Sequence, residues 1–184
     1  IYFKITKMKS FFKILFFLLF INNAMAQDLK NTIYLELKDG RVVIEMKSDM
    51  APKHVKRIKE LVNEKFYDGL KFHRVIEGFM AQTGDPRGDG TGGSGQNIPA
   101  EFNSLPHIRG TVSMARAQDP DSADSQFFIC FQESSFLDGQ YTAWGQVIEG
   151  MEFVDKIKRG EGPNGMVQDP DKIISMRLAQ EDKQ

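Results

Sequence analysis

The sequence predicts a single, mainly β domain, built as an antiparallel sandwich or barrel. The candidate strands are short and punctuated by glycine and proline, and only two segments show helical spacing of apolar residues. The chain has 184 residues, of which 41% are hydrophobic, and its formal net charge is −1. These values suit one domain with its own core, and no internal repeat or linker indicates a second.

A β-hairpin is predicted at the start of the domain. The segment NTIYLELKDGRVVIEMK alternates apolar and polar residues on both sides of Asp39-Gly40. Alternation of period two around an Asp-Gly pair is the pattern of two antiparallel strands joined by a tight turn. The side chains expected on the buried face are Ile33, Leu35, Leu37, Val42, Ile44 and Met46.

An amphipathic helix is predicted next, ending at about Glu64. Ser48 or Asp49 is expected to cap it, and Pro52 suits its first turn. Its buried face is predicted from apolar residues at helical spacing, namely Val55, Ile58, Leu61 and Val62.

The remaining chain alternates short strands with loops. The segment LKFHRVI is predicted as a strand with Phe72, Arg74 and Ile76 on one face. A loop with six glycines between Gly84 and Gly95 follows. Further strands are predicted in GTVSMAR, SQFFICF and TAWGQVI, a second helix over about residues 151–158, and a closing strand in DKIISMRL.

Residues 8–26 have the pattern of a cleaved export signal. Lys9 and Lys13 precede an apolar run, which ends before the small-residue site Ala24-Met25-Ala26. We therefore expect a mature domain of residues 27–184, and we interpret residues 1–7 as a non-native extension upstream of Met8. The alternative, a stable membrane anchor, is disfavoured because Lys13 interrupts a run already shorter than the ~20 residues that span a bilayer.

An exported protein of this kind is expected in the periplasm, or in the secreted fraction if the source has no outer membrane. Removal of residues 1–26 takes away four lysines and no acidic residue, leaving 20 basic and 25 acidic residues and a charge of −5. That balance argues against nucleic acid as a partner. A monomer is expected because no coiled-coil pattern or long exposed apolar run is present.

Several motifs resemble cofactor or metal sites, but the residues around them do not fit such sites. The glycines of residues 88–93 fit G-x-G-x-x-G, but Pro99 follows where a helix should hold a phosphate, so a tight loop with positive φ is the favoured interpretation. His54, His73 and His107 lack ligand spacing and are expected to pack or to lie on the surface. Cys130, the single cysteine, is expected to be a buried structural thiol. No cofactor and no metal are predicted.

The sequence offers no coherent set of nucleophile and general base, which leaves open a reaction that breaks no covalent bond. Rotation about an X-Pro amide is such a reaction: its twisted midpoint frees the lone pair of the prolyl nitrogen, which a fixed guanidinium can stabilise. An apolar socket must hold the proline ring. The stretch FHRVIEGFMAQTGD supplies Arg74 with Phe79, Met80 and Gln82. Taken alone, Arg74 is better interpreted as a strand arginine that pairs across the barrel surface, and only the surrounding motif favours a catalytic role.

Four stretches resemble the cyclophilin-type peptidyl-prolyl isomerases, in family order: APKHVKRIKELVNEKFYDG, FHRVIEGFMAQTGDP, GTVSMARAQDPDSADSQFFIC and LDGQYTAWGQVIEG. The resemblance implies an eight-stranded antiparallel β-barrel capped by two α-helices. It also implies isomerase activity without a cofactor on proline-containing segments of polypeptides, here those that fold after export. Arg74 matches the catalytic arginine. The positions that match the substrate-binding groove are Phe79, Met80, Gln82, Ala115, Arg116, Gln126, Phe128, Phe136, Leu137 and Tyr141.

Three positions depart from the best-known eukaryotic pattern. Phe136 stands where many members have tryptophan, Tyr141 where many have histidine, and Arg116 where many have asparagine. The phenylalanine and tyrosine are similar to exported bacterial members, and loss of the indole N–H predicts weak inhibition by cyclosporin. A module that binds one proline-containing partner without turnover is the alternative from a different functional class. The client proteins and the role of residues 161–171 are left open.

Overall fold

Eight antiparallel strands form one curled sheet, and two α-helices pack against it, as predicted. The computed structural model describes residues 29–181, so the predictions for residues 1–28 lie outside the described part of the chain. The strands are β1 (Thr32–Leu37), β2 (Gly40–Met46), β3 (Arg74–Ile76), β4 (Met80–Thr83), β5 (Thr111–Met114), β6 (Phe127–Cys130), β7 (Ala143–Glu149) and β8 (Ser175–Leu178). The helices are α1 (Pro52–Asn63) and α2 (Met151–Val154). Neither helix is long enough to cross a bilayer, and no other helix within residues 29–181 is.

The sheet order is β3-β4-β6-β5-β7-β2-β1-β8, with every neighbouring pair antiparallel. Its two edges are joined by isolated bridges rather than by a ladder between β3 and β8. Lys71 bridges to Lys172, and the amide of Phe72 donates to the carbonyl of Asp171 over 2.9 Å. The barrel implied by the resemblance is therefore a curled sheet that is closed by chain segments just outside its edge strands.

The first hairpin forms as predicted, but its turn lies one residue earlier. Leu37 pairs directly with Gly40, so Lys38 and Asp39 make the turn. Gly40 is needed for another reason: a Cβ built there would lie 2.5 Å from the ring of Phe153 in α2. The glycine leaves room for the tip of the Phe153 ring against the hairpin.

Helix α1 buries the predicted apolar face, but neither Ser48 nor Asp49 caps it. Ala51 is the N-cap residue and has no capping side chain. Instead, the carboxylate of Glu101 accepts hydrogen bonds from the amides of Lys53 and His54 over 3.0 Å each. A distant loop therefore satisfies the free amides of this helix end, which local sequence does not reveal.

Alternation along the strands separates the core into two clusters on opposite faces of the sheet. In β6, Phe127 and Ile129 join the main core, whereas Phe128 and Cys130 join a smaller cluster with Met80 and Leu137. Successive side chains in a strand point to opposite faces. The smaller cluster thus lies on the face away from the main core, and six of the eleven residues predicted for the site belong to it or pack against it.

Three further sequence predictions need correction. Strand β4 was not predicted, because its four residues follow a tight turn and precede Gly84 without a strand-length pattern of their own. Helix α2 ends at Val154 rather than near residue 158, since the amides of Lys156 and Ile157 bond carbonyl oxygens three residues back, those of Phe153 and Val154, instead of four. Phe72 does not share a face with Arg74: it is fully buried in the main core because β3 begins only at Arg74.

Candidate active site

Arg74, Gln82 and Phe128 form a lateral row across three neighbouring strands. Arg74 in β3 lies opposite Gln82 in β4, and Gln82 lies opposite Phe128 in β6. Directly paired residues of antiparallel strands project from the same face. The register therefore brings a cation, an amide and an aromatic ring together from three separate segments.

The Arg74 guanidinium is held at two points. Its Nε donates to the carbonyl oxygen of Asn164 over 3.0 Å, and its Nη1 donates to Oε1 of Gln82 over 3.1 Å. Partial burial lowers the pKa of Arg74 from its usual value, yet an arginine remains charged at any physiological pH. Among residues 29–181, Nη2 has no hydrogen-bond partner and no carboxylate pairs with Arg74. Its remaining donors are thus available for a bound molecule.

Gln82 is itself held in place by a chain of hydrogen-bonded amides. Nε2 of Gln82 donates to Oε1 of Gln126 over 2.8 Å, and Nε2 of Gln126 donates to the carbonyl oxygens of Gly92 and Gly90 over 2.8 and 3.1 Å. Each amide uses its carbonyl as acceptor and its NH₂ as donor, so the direction of the chain is fixed. The glycine-rich loop therefore orients the glutamines that orient Arg74.

Asp85 fixes the shape of that glycine-rich loop. Its carboxylate accepts from the amides of Arg87, Asp89 and Gly90 over 2.8, 3.1 and 2.6 Å. Burial raises the pKa of Asp85, but these backbone hydrogen bonds outweigh it and hold the pKa below its usual value. Four glycines of the loop, at 84, 88, 90 and 95, adopt positive φ, as predicted for a tight loop.

An apolar pocket of about 420 Å³ lies beside Arg74. Phe128 and Leu137 are buried against Met80, while Phe79 and Phe136 pack with ring centroids 5.4 Å apart. Ten of the eleven residues predicted for the site line this one pocket. The exception, Gln126, lines an adjoining pocket of about 290 Å³ with Gln82, Ala115 and Arg116.

Tyr141 and Arg116 form the side of the pocket that faces the adjoining one. The Tyr141 ring lies edge-on to Phe128 at 6.0 Å, and the Arg116 guanidinium carbon lies 4.6 Å from the centre of the Tyr141 ring. Gln140 also lines the pocket and accepts hydrogen bonds from Arg116 through its backbone oxygen. Sequence reasoning missed Gln140 because a backbone contact carries no residue-type signal.

A second set of side chains that the sequence did not reveal lies behind Phe128. His107 stacks on the Phe128 ring at 6.2 Å, and its Nδ1 and Nε2 are hydrogen-bonded to the Asp138 carboxylate and the Ser113 hydroxyl, each over 2.9 Å. The order Ser-His-Asp is that of a nucleophilic triad. Ser113 is fully buried, however, so no substrate can reach its oxygen, and the three residues instead brace the aromatic ring.

The other groups considered from the sequence are structural. All three histidines are buried, and no group of three or more His, Cys, Asp or Glu residues within 29–181 is arranged to hold a metal. Cys130 is buried in the smaller cluster, as predicted, and burial raises the pKa of its thiol to about 12. A thiol with that pKa is protonated at neutral pH and is not a nucleophile.

Comparison with known families identifies the chain. A sequence model described as cyclophilin type peptidyl-prolyl cis-trans isomerase/CLD matches residues 32–178, from the first residue of β1 to the last of β8. The chain belongs to the cyclophilin-type peptidyl-prolyl cis-trans isomerases. This cyclophilin is similar to a Brucella suis protein named "Probable peptidyl-prolyl cis-trans isomerase", with 52% identity over 176 residues that cover 89% of this chain and 90% of the relative.

Solved cyclophilin structures share its fold. One from Hirschia baltica gives a TM-score of 0.76 at 29% identity and covers 85% of this chain and 76% of its own. A cyclophilin-type isomerase from Cryptosporidium parvum, crystallised in the presence of the dipeptide Ala-Pro, gives 0.74 at 28% identity and covers 80% and 98%. The predicted fold and enzyme class are thereby confirmed.

Proposed function

We propose that this cyclophilin accelerates X-Pro rotation by holding the Arg74 guanidinium against the twisted amide. Unaided, the rotation takes tens to hundreds of seconds because its midpoint loses amide conjugation, a barrier of about 18–20 kcal/mol. At the midpoint the prolyl nitrogen regains a basic lone pair. A donor fixed near that nitrogen binds the twisted form better than either planar form, and such differential binding is what accelerates a reaction.

The observation that carries this proposal is the way in which Arg74 is held. Two of its nitrogens are tied to Asn164 and Gln82, while Nη2 keeps its donors beside the apolar pocket. A donor that is already oriented needs no reorganisation when the amide twists. An arginine that served only to pair on the sheet surface would have a carboxylate partner, and none of the described residues provides one.

The apolar pocket is the proposed socket for the proline ring. Phe128 would form its floor, Met80 and Leu137 its lower walls, and the Phe79–Phe136 pair its rim. Holding the ring leaves the residue before proline as the part that turns. Its chain would lie along the groove formed by Gln82, Ala115, Arg116, Gln126 and Tyr141, which extends from this pocket into the adjoining one.

The energy that this arrangement must supply is moderate. Shortening the step from ~100 s to ~1 ms is a factor of about 10⁵, or roughly 7 kcal/mol. One preorganised donor in such a site is worth about 2.7–4 kcal/mol. Desolvation and alignment in the pocket supply the remainder without any covalent intermediate.

Exchange NMR on an Ala-Pro peptide tests the proposal. Residues 27–184, which contain the whole described fold, should accelerate cis-trans exchange, and Arg74→Ala should lose most of that acceleration while keeping its NMR fingerprint. Arg109→Ala is the matched control, since Arg109 pairs with Asp155 outside the pocket. Full acceleration by Arg74→Ala would contradict the mechanism. Peptide signals that shift without faster exchange would favour a binding module.

We further propose that the enzyme acts on polypeptides after export. Residues 8–26 carry the pattern of a cleaved signal. The match with the Brucella suis protein covers 89% of the chain, more than residues 27–184 make up, so it extends into this segment. Similarity that begins upstream of residue 27 is what a common export signal would produce, and it supports the proposal.

Expression of the full chain in a Gram-negative host tests this proposal. The protein released by osmotic shock should have the mass of a chain that begins at Gln27. Ala26→Leu should block cleavage, because the residue before a signal cleavage site must be small. An uncleaved wild-type chain in the cytosol would contradict the proposal, and an uncleaved chain in the membrane fraction would favour an anchor.

A further inference from the structure

The pocket carries two guanidinium groups and no carboxylate. Arg74 and Arg116 are among its eleven lining residues, and none of the eleven is Asp or Glu. Elsewhere in the described chain, arginines commonly pair with acids: the pairs are Arg41–Glu36, Arg57–Glu60, Arg109–Asp155, Arg159–Glu77 and Arg177–Asp68. Within residues 29–181, neither Arg74 nor Arg116 forms an ion pair with a carboxylate. The pocket lining therefore carries two positive charges that no carboxylate offsets.

Arg116 is fixed in place by neutral oxygens only. Nε and Nη2 donate to the carbonyl oxygen of Gln140 over 3.2 and 3.0 Å, and Nη1 donates to those of Ala117 and Gln118 over 2.9 and 3.1 Å. These contacts use four of the five guanidinium N–H bonds. One N–H donor and the full positive charge of Arg116 remain available to a ligand. The surrounding carbonyl oxygens already fix the position of the guanidinium.

Asp124, the one acid on the linings of the two pockets, does not offset the charge of Arg116. Asp124 lines the adjoining pocket with Arg116, but its oxygens accept from the Ser94 amide and hydroxyl and from the Gly95 amide. It forms no ion pair with Arg116. Because Arg116 borders both pockets, a peptide that fills the groove must pass close to it.

We propose that this cyclophilin prefers X-Pro segments with an acidic side chain near the proline, and that Arg116 is the specificity-determining residue. The inference rests on the proposed function of the pocket. The net charge of residues 27–184 is −5, which by itself would disfavour acidic peptides. The preference must therefore come from the local charge of the groove. A partly exposed ion pair of this kind predicts a preference of about 3- to 5-fold.

Matched peptides test the preference. Each contains one Ala-Pro bond and carries Glu, Gln or Lys at a single position: two or three residues before the proline, or one or two after it. Exchange NMR on residues 27–184 gives kcat/KM for each peptide. At one or more positions the Glu peptide should exceed the Gln peptide by about 3- to 5-fold, with Lys lowest, and the ratio should shrink in about 1 M NaCl, where the Debye length is about 3 Å.

Variants at Arg116 separate its role from that of Arg74. Arg116→Gln should bring the Glu-to-Gln ratio close to one, and Arg116→Lys should retain part of the preference because the charge remains. Equal rates for Glu and Gln peptides at every position would overturn the proposal, as would an unchanged ratio in Arg116→Gln. If Arg116→Gln does not fold, the Glu-to-Gln ratio of the wild type in high salt and that of Arg116→Lys still test the proposal. Failure to accelerate any peptide would instead refute the proposed function of the pocket.

Discussion

Replacing Gln82 with alanine should slow catalysis while the fold stays intact, because Gln82 holds the guanidinium that we place at the twisted amide. The bond to be lost joins Nη1 of Arg74 to Oε1 of Gln82 over 3.1 Å. Hydrogen bonds to charged groups contribute about 1.5–3 kcal/mol. That range corresponds to a fall in kcat/KM of about 10- to 150-fold. We expect the lower end, since the Asn164 carbonyl still holds Nε.

The neighbouring links of the chain provide a graded comparison. Gln126→Ala removes a bond between neutral groups one step further from Arg74, so a smaller loss of about 2- to 10-fold is expected. Gln168→Ala is the matched control, because Gln168 is exposed and lies outside both pockets. Its kcat/KM should equal that of the wild type.

A double-mutant cycle shows whether Gln82 acts through Arg74. Exchange NMR would give kcat/KM for Gln82→Ala, Arg74→Ala and the double variant, with an NMR fingerprint of each to verify the fold. If Gln82 only positions the guanidinium, its removal should change the rate less than about 2-fold once Arg74 is alanine, since contacting residues are not additive. An equal loss in both backgrounds would refute the reasoning and assign Gln82 a role of its own.

Three other outcomes follow from the structure. Glu101→Ala should lower the free energy of unfolding in urea by about 2–3 kcal/mol, because it uncaps α1 and leaves Nδ1 of buried His54 unpaired. If it loses no more stability than Glu133→Ala, a variant at an exposed position, this explanation is contradicted. Burial lowers the pKa of His73, so below about pH 6.5 the unfolded chain takes up a proton that the folded chain does not, and the free energy of unfolding falls. His73→Leu should therefore make the free energy of unfolding depend less on pH between about pH 7.5 and 5.5. An unchanged pH dependence would count against this explanation. Phe136→Trp should strengthen inhibition by cyclosporin, since it restores an indole N–H donor at an exposed position. If titration gives the wild type and the variant the same affinity for cyclosporin, that explanation is excluded.

Short-range patterns predicted most of the fold. Alternation and helical spacing located seven of the strands and both helices, because burial of one face follows directly from local periodicity. The same periodicity could not assign Phe128 to the pocket, since a core phenylalanine in β6 would show an identical pattern. Only the register, which pairs Phe128 with Gln82 on the face away from the main core, separates the two cases.

The supports of the site were beyond prediction because they join distant segments. The Asn164 carbonyl that holds Arg74 and the Glu101 carboxylate that caps α1 depend on tertiary placement alone. His107 illustrates the same limit: its partners Ser113 and Asp138 lie on a separate strand and loop, with no ligand-like spacing in the sequence. Sequence similarity predicted residues that line one pocket, while the contacts that orient them required the structure.

The most direct test of the account separates binding from turnover in Arg74→Ala. Line-shape analysis of an Ala-Pro peptide titrated with each protein yields both the Kd and the exchange rate on the enzyme. If Arg74 stabilises the twisted amide, the rate on the enzyme should fall by about 100- to 1000-fold while the Kd changes less than about 3-fold. A Kd that weakens in proportion, with the rate on the enzyme unchanged, would show that Arg74 binds the planar peptide and would contradict the mechanism.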